Sequence, residues 1–175
     1  MEMSQACTLW FTGLSGAGKT TLANEVAHRL REGNHPVFVL DGDVVRTGLC
    51  SDLGFSLEDR SENIRRVAEV ARLFNLTGTI VIAALISPLR EDRARAKFII
   101  GPDRFLEIWL STPLDTCEQR DVKGLYAKAR QGLIQGFTGI SSPYETPETA
   151  DLVLDTSWKS PNDCAERILE LVNPV

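Results

Sequence analysis

The chain has 175 residues, of which 43% are hydrophobic, 25% are charged and 7% are aromatic, and its formal net charge is −5. These values are typical of one soluble globular domain, and this length provides a core without disulfides or a structural metal. The negative excess lies in residues 140–175, where seven acidic residues stand against two basic ones. The charge therefore argues against a nucleic-acid partner, but not against a small anionic ligand bound elsewhere.

The strands and helices predicted from hydrophobic periodicity alternate along the chain. Strands are predicted at residues 8–11, 37–40, 79–86, 105–110 and 152–154, and helices at 22–32, 58–75, after Pro88, at 113–120 and at 163–172. This pattern predicts a three-layer α/β domain with a mainly parallel five-stranded sheet, helices on both faces, and ligands at the carboxyl ends of the strands.

Residues 121–150 depart from the alternation, because they form a long stretch with four glycines and two prolines. We predict that they form a mobile lid within a single domain spanning residues 1–175, and name them the lid segment. A surface loop with scattered charge is the alternative interpretation.

The beginning of the chain lacks the layout of a signal peptide, and no apolar run approaches the roughly 20 residues of a membrane span. We therefore expect a cytoplasmic protein without a membrane partner. The four cysteines lie 43, 67 and 47 residues apart and form no CxxC pair, which argues against zinc and favours isolated thiols over a disulfide framework.

Residues 13–20, here named the phosphate loop, match the pattern G-x-x-x-x-G-K-[ST] between a predicted strand and a predicted helix. Glycines let backbone N–H groups surround a phosphate chain, Lys19 reaches the β- and γ-phosphates, and the Thr20 hydroxyl binds Mg²⁺. The predicted nucleotide-binding residues are Gly13, Leu14, Ser15, Gly16, Ala17, Gly18, Lys19, Thr20 and Thr21.

Two carboxylates, Asp41 and Asp43, follow the second predicted strand. They can divide between holding a water on Mg²⁺ and accepting the proton of an acceptor hydroxyl. The alternative is an Asx turn with Asp43 as a helix N-cap, and spacing alone leaves both interpretations open. Because the chain has no Asn-Lys-x-Asp segment typical of GTPases, a small-molecule kinase is favoured.

Arginines are concentrated after Asp43, and Phe55 and Asn63 lie among them. The arginines are Arg46, Arg60, Arg65 and Arg66. Guanidinium groups suit phosphate or sulfate, and a nearby aromatic ring can stack on a base. The alternative is a solvated, salt-bridged helix face, since acidic residues are interleaved. On the lid segment, Lys123 is expected to reach the transferring phosphate while closure excludes water.

A set of motifs together resembles the adenylyl-sulfate kinase family over nearly the whole chain. They are residues 13–21, Asp41-Gly42-Asp43, 53–56, Asp59-Arg60, Glu62-Asn63, Ile86-Ser87-Pro88, Arg120-Asp121, 123–126, 136–140 and 143–145. The resemblance implies a P-loop kinase that transfers the γ-phosphate of ATP to the ribose 3′-hydroxyl of adenylyl sulfate, adenosine 5′-phosphosulfate, during sulfate assimilation. The alternatives are a kinase for another small hydroxyl acceptor and a catalytically idle nucleotide sensor.

The resemblance also implies residue roles. The adenylyl-sulfate site would comprise Asp43, Arg46, Phe55, Arg60, Asn63, Ile86, Ser87, Lys123, Gly136 and Phe137, with Phe55 and Phe137 as candidates to sandwich the adenine. The candidate catalytic residues are Lys19, Asp41, Asp43, Ser87 and Lys123. Asp43 is the leading candidate for the base and Asp41 is expected near Mg²⁺ through water, but the sequence leaves the division between these two carboxylates open. The family marks the Ser87 position as a phosphoserine, whereas direct in-line transfer needs no covalent step.

The same resemblance carries three further expectations. The family suggests a homodimer that binds ATP and adenylyl sulfate. The adenine of ATP is expected near residues 156–161. Val44 stands where the family usually has Asn, so any side-chain amide contact from that position is lost.

Overall fold

The computed structural model describes residues 6–172. Its strands are β1 (Thr8–Thr12), β2 (Val37–Asp41), β3 (Ile80–Ala84), β4 (Phe105–Leu110) and β5 (Leu152–Leu154). Its helices are α1 (Lys19–Glu32), α2 (Gly42–Arg46), α3 (Leu57–Leu76), α4 (Arg90–Ile100), α5 (Leu114–Arg120), α6 (Leu125–Arg130) and α7 (Pro161–Val172), and a 3-10 turn (Pro102–Arg104) precedes β4.

The five strands form one parallel sheet in the order β2-β3-β1-β4-β5. Their carboxyl ends therefore meet at a single edge, with β1 in the centre. The predicted five-stranded α/β architecture is confirmed, and the site is expected where the loops leave that edge.

Both faces of the sheet are covered, because side chains alternate along each strand. In β1, Leu9 and Phe11 pack in one apolar cluster with Val26 of α1, whereas Trp10 packs on the other face with Ile64 of α3. All three β1 side chains are fully buried. The continuous apolar strands and the two clusters confirm the three-layer arrangement. Within residues 6–172, no helix combines the length and the apolar character needed to cross a bilayer.

The third strand is shorter than predicted, because β3 ends at Ala84 and not at residue 86. Ser87 has a φ of 39°, which strand geometry forbids, and Pro88 has no backbone N–H for a ladder. Beyond the strand, the Gly13 N–H donates to Ile86 O over 3.4 Å. The chain therefore turns toward the phosphate loop where the prediction extended the strand.

Two short helices were not predicted. Helix α2 follows Asp41 directly and has five residues, and α6 lies inside the lid segment and has six. Helices this short show too little periodicity to be recognised in a sequence. The carboxylate of Asp121 starts α6 by accepting from Tyr126 N at 2.9 Å and Ala127 N at 3.0 Å.

The lid segment is docked on the phosphate loop and on β1. Tyr126 is 1% exposed, and its hydroxyl donates to Ser15 O over 2.8 Å. Near the other end, the hydroxyls of Tyr144 and Thr12 are 2.9 Å apart. The segment is thus partly helical and anchored at both ends, while its mobility stays a prediction.

Candidate active site

The phosphate loop joins β1 to α1 with a backbone that favours glycine. Gly16 and Gly18 have φ values of 78° and 93°, in the left-handed region that side chains disfavour. A Cβ on Gly16 would lie 2.9 Å from Cys117 O, so α5 packs too closely for any side chain there. Gly18 precedes α1 and has no side chain to cap it, which leaves the first N–H groups of α1 available to an anion.

Lys19 folds back over the phosphate loop. Its ammonium donates to Leu14 O over 2.7 Å and to Gly13 O over 3.0 Å. Burial lowers the pKa of Lys19 to about 8. A cation held against two carbonyls and partly desolvated is poised for phosphate oxygens, which would interact with it more strongly than neutral carbonyls do.

Thr20 and Asp41 meet at the carboxyl end of β2, where the Thr20 hydroxyl donates to Asp41 Oδ2 over 2.6 Å. The other oxygen of Asp41 accepts from Asp43 N at 2.9 Å and so caps α2. The alternative interpretation is therefore confirmed in its Asx turn but not in its cap, because the residue that caps α2 is Asp41 and not Asp43.

A hydroxyl and a carboxylate are hard oxygen donors that suit Mg²⁺. Across residues 6–172, no cluster of three or more His, Cys, Asp or Glu side chains could hold a metal ion. The Thr20 and Asp41 pair therefore fits an ion that takes its remaining ligands from nucleotide phosphates and water.

Asp43 and Lys123 form an ion pair across the site, between the end of β2 and the lid segment. Both side chains are more than half exposed, so the pair contributes little to folding stability. The location of the pair matters more. It joins a carboxylate and a cation that lie 80 residues apart in the chain, at the edge of the sheet where Thr20 and Asp41 lie.

Arg60 joins two loops that are distant in sequence. Its guanidinium donates to Gly136 O over 2.6 Å, to Thr138 Oγ1 over 2.7 Å and to Phe55 O over 3.0 Å. Burial, and next the neighbouring charge of Arg46, lower the pKa of Arg60. The structure thus assembles a positively charged surface from α3, the loop before it and the lid segment.

The predicted aromatic residues lie on that surface in different settings. Phe55 is 67% exposed, and the Arg46 guanidinium lies 4.4 Å from the centre of its ring. Phe137 packs edge-on against Tyr126 with ring centres 5.0 Å apart. Asn63 is buried beside the Cys50 thiol, and its Nδ2 is shielded from solvent. The exposed ring of Phe55 can meet a ligand directly.

Arg65 and Arg66 form ion pairs with acidic side chains and do not join the site. Arg65 donates to Glu62 over 2.7 Å, and Arg66 donates to both carboxylate oxygens of Asp52 over 2.6 and 2.9 Å. Hydrogen bonds from these two arginines lower the pKa of Glu62 to about 2. The alternative interpretation, a salt-bridged helix face, is confirmed for this part of α3.

Ile86 and Ser87, which we name the acceptor wall, follow β3 at the same edge of the sheet. Ser87 is 3% exposed, and its hydroxyl accepts a hydrogen bond from the Trp10 indole at 3.1 Å. The Thr12 hydroxyl donates to Ile86 O over 2.7 Å. The left-handed backbone of Ser87 costs roughly 1–2 kcal/mol, which these contacts offset.

Sequence reasoning missed the residues that brace the phosphate loop from the side of β5. Arg120 donates to Thr156 O over 2.7 Å and to Gly16 O over 3.1 Å, and the Thr156 hydroxyl donates to Ala17 O over 2.9 Å. The Thr112 hydroxyl lies 2.8 Å from that of Thr156. Only the Arg120-Asp121 motif and the expectation for residues 156–161 pointed to this region.

The site divides into two halves. The donor half is the phosphate loop with Asp41 and the Arg120 and Thr156 brace. We name as the acceptor half the residues that the family resemblance assigns to the acceptor: Asp43, Arg46, Phe55, Arg60, Asn63, the acceptor wall, Lys123, Gly136 and Phe137.

Comparison with known proteins identifies the family. The family model described as adenylylsulphate kinase matches residues 5–155. The chain belongs to the adenylylsulphate kinase family. It is accordingly an ATP-dependent kinase whose acceptor is adenylyl sulfate.

Similar proteins cover nearly all of the chain. The adenylyl-sulfate kinase of Acaryochloris marina is 54% identical over 164 residues, which are 94% of this chain and 80% of that protein. A Mycobacterium tuberculosis APS kinase in complex with AMPPNP and APS superposes with a TM-score of 0.92 at 47% identity, covering 96% of this chain and 98% of that one. The hexameric APS kinase from Thiobacillus denitrificans has a TM-score of 0.70 at 36% identity, covering 94% of this chain and 28% of that one.

One departure from the usual adenylyl-sulfate kinase motif is visible at the site. Val44 follows Asp43 in α2 and is 67% exposed. A branched apolar side chain at this place offers no side-chain hydrogen bond to a ligand.

Proposed function

We propose that the donor half holds Mg·ATP, that the acceptor half holds adenylyl sulfate, and that the γ-phosphate moves in line to the ribose 3′-hydroxyl, giving 3′-phosphoadenylyl sulfate and ADP. The ion pair between Asp43 and Lys123 is the observation that carries this proposal. The pair supports the proposal because Asp43 would be the proton acceptor and Lys123 the phosphate-binding cation at the boundary that the transferred group must cross.

On the donor side, the N–H groups of the phosphate loop and the ammonium of Lys19 bind the β- and γ-phosphates. Thr20 and Asp41 would hold Mg²⁺, Asp41 through a water. Bound Mg²⁺ supplies neutralisation of the phosphate charge. The expected adenine contacts lie after β5, where Thr156 already touches the phosphate loop through Ala17 O.

Asp43 is the base in this proposal and Asp41 is a positioning group. Both carboxylate oxygens of Asp41 already accept hydrogen bonds, from Thr20 and from Asp43 N, and its side chain is buried. The Asp43 carboxylate is exposed, with Lys123 as its bonded partner. It can take the proton of the 3′-hydroxyl when Lys123 turns to the transferring phosphate.

On the acceptor side, Arg46 and Arg60 bind the phosphosulfate, and Phe55 and Phe137 enclose its adenine. Positive charge concentrated beside an exposed ring supports this assignment. Asn63, Gly136 and the acceptor wall complete the surface. The Ser87 hydroxyl is buried against Trp10, which favours a wall residue over a phosphorylated intermediate.

We further propose a cytoplasmic homodimer that acts in sulfate assimilation. All four cysteines are free thiols and buried, which supports a reducing compartment. Assembly of the kinase from Thiobacillus denitrificans into hexamers supports self-association in this family. Light scattering on purified protein tests the dimer, and a monomer mass at micromolar concentration would refute it.

Product analysis tests the reaction. With ATP, Mg²⁺ and adenylyl sulfate we expect one ADP and one 3′-phosphoadenylyl sulfate per turnover, and no transfer with 3′-deoxyadenylyl sulfate or after chelation of Mg²⁺. Equal ADP formation without adenylyl sulfate, or transfer to sugars or shikimate-like acids at comparable kcat/KM, would support another acceptor. Nucleotide binding without ADP release would identify an idle sensor.

A further inference from the structure

Arg93, on the first turns of α4, is a buried cation outside the acceptor half. Its side chain is 3% exposed, and its Nε lies 2.7 Å from Glu107 Oε1 of β4, which is 16% exposed. Buried ion pairs are weak stabilisers, because desolvation offsets most of their attraction. The ion pair alone therefore gives no reason for burying Arg93, and the other contacts of its guanidinium are the ones that define local geometry.

The two remaining nitrogens of Arg93 reach two backbone carbonyls in different parts of the chain. One nitrogen donates to Ser87 O over 2.7 Å, and the other donates to Glu145 O over 2.6 Å. Three partners thus surround one rigid, planar group. Arg93 links the sheet, the acceptor wall and the end of the lid segment.

On the side of the acceptor wall, Arg93 acts on a strained position. Ser87 has its φ of 39° directly before Pro88. Its hydroxyl and the Ile86 carbonyl are held by Trp10 and Thr12, so the charge-assisted bond to Ser87 O completes the set of contacts on this turn.

On the side of the lid segment, Arg93 holds the residues that return the chain to the sheet. The Tyr144 ring lies 5.8 Å from the guanidinium, and Glu145 N donates to Pro88 O over 2.8 Å. A few residues earlier in the chain, Gly136 and Thr138 bond to Arg60. Arg93 and the bond between Glu145 N and Pro88 O therefore both connect the end of the lid segment to the turn at Ser87 and Pro88.

We propose that Arg93 is a positioning residue for the acceptor: by bonding Ser87 O and Glu145 O together, it fixes the distance between the acceptor wall and the lid segment and thereby the affinity for adenylyl sulfate. The inference rests on the proposed location of adenylyl sulfate in the acceptor half. Arg93 itself touches no nucleotide in this arrangement.

Arg90 provides a matched control, because it lies one turn earlier on α4 and bonds the same end of the lid segment without reaching Ser87. Its Nε donates to Thr146 O over 2.7 Å, and its guanidinium pairs with Glu148 at 2.7 Å. Arg90→Ala removes lid-segment contacts and leaves those of Arg93 in place.

The test compares Arg93→Lys, the double variant R93M/E107M, Arg90→Ala and Arg60→Ala in steady-state assays with both nucleotides. The double variant removes both buried charges, so it is expected to fold without an unpaired ion. We expect the KM for adenylyl sulfate to rise about tenfold in both Arg93 variants, as for loss of one charge-assisted bond, with the KM for ATP within about twofold. Arg90→Ala should keep both KM values within about twofold.

A KM for adenylyl sulfate that stays at the wild-type value in a folded Arg93 variant overturns the inference, and so does an equal rise of both KM values. If the double variant does not fold, Arg93→Lys decides by the same criterion. Arg60→Ala distinguishes failure of this inference from failure of the proposed function. If Arg60→Ala raises the KM for adenylyl sulfate while the Arg93 variants do not, only the role of Arg93 is refuted. If neither does, the acceptor half itself is misplaced.

Discussion

The two halves of the site are built in different ways. In the donor half, residues within one short stretch form the loop, and left-handed glycines and backbone groups carry most of its geometry. In the acceptor half, side chains of Arg60 and Lys123 connect segments 76 to 80 residues apart. The phosphate loop of the donor half is thus encoded locally, whereas the brace behind it and the acceptor half exist only when distant segments have come together.

This difference separates what a substitution does in each half. A change in the donor half should affect ATP with any acceptor. A change in the acceptor half should affect adenylyl sulfate and leave ATP unchanged. A variant in one half that changes the affinity for the nucleotide of the other half would contradict this division.

The largest effect is expected for Lys19→Ala. We predict that kcat falls roughly 10³-fold, because the cation that stabilises charge on the transferring phosphate is lost. The KM for adenylyl sulfate should change by no more than about threefold, because Lys19 bonds only the phosphate loop. ADP release is the measurement, with Lys128→Ala on α6 as the control at wild-type rate. Turnover above one tenth of wild type would exclude the assigned role.

Arg60→Ala comes next. The KM for adenylyl sulfate should rise about 10- to 100-fold, since a half-buried cation and its bonds to Gly136, Thr138 and Phe55 disappear together. The KM for ATP should stay within about twofold. Arg72→Ala, on the same helix and paired with Glu69 at 3.3 Å, is the matched control without effect. An equal loss for both nucleotides would remove Arg60 from the acceptor half.

A pH dependence confined to the donor half is expected from Lys19. Burial lowers its pKa from about 10.5 to about 8 in the free protein, and ATP phosphates favour the charged form and raise it again. The dissociation constant for ATP should therefore increase up to about tenfold per pH unit above pH 8.

Calorimetry in two buffers of different ionisation enthalpy should show proton uptake with ATP at pH 9 and none at pH 7. Lys19→Met should show no uptake at either pH. The same pKa shift makes the free energy of unfolding rise with pH between about 8 and 10.5, because the unfolded state binds more protons there. ATP binding at pH 9 without proton uptake would contradict the depressed pKa.

The smallest effect is expected for Thr156→Val, which keeps the shape of the side chain but removes the hydroxyl that donates to Ala17 O and also bonds Arg120 and Thr112. If the binding free energy for ATP weakens by about 1 kcal/mol, the KM for ATP rises about fivefold, and the KM for adenylyl sulfate stays unchanged. Thr77→Val, at the exposed end of α3, is the control. A rise in the KM for adenylyl sulfate would show that the brace serves both halves.

The same difference explains what the sequence could predict. The phosphate loop and the alternating strands are recognisable because spacing and hydrophobic periodicity are local properties. The family motifs pointed to Asp43 and Lys123, but not to their ion pair. Arg93 and the bracing contacts of Arg120 and Thr156 escaped prediction, since they join residues 36 to 139 positions apart, which no local pattern records.

Prediction from local sequence was also wrong where the backbone geometry of a turn overrides a hydrophobic pattern. Hydrophobicity predicts that the apolar run before Ser87 is a strand up to residue 86. The turn at Ser87 and Pro88 instead ends β3 at Ala84. Asp41 and Asp43 were indistinguishable by spacing. Only the hydrogen bonds of Asp41 show that it starts α2 and leaves Asp43 exposed.

The central claim is that the two nucleotides occupy separately built halves, and a double-mutant cycle on Arg60→Ala and Thr156→Val tests it most directly. Dissociation constants for ATP and for adenylyl sulfate, each bound alone, would be measured by calorimetry for the wild type, both single variants and the double variant. Separately built halves predict additive changes, with a coupling free energy within about 0.5 kcal/mol for either nucleotide. A coupling above about 1 kcal/mol would contradict the claim.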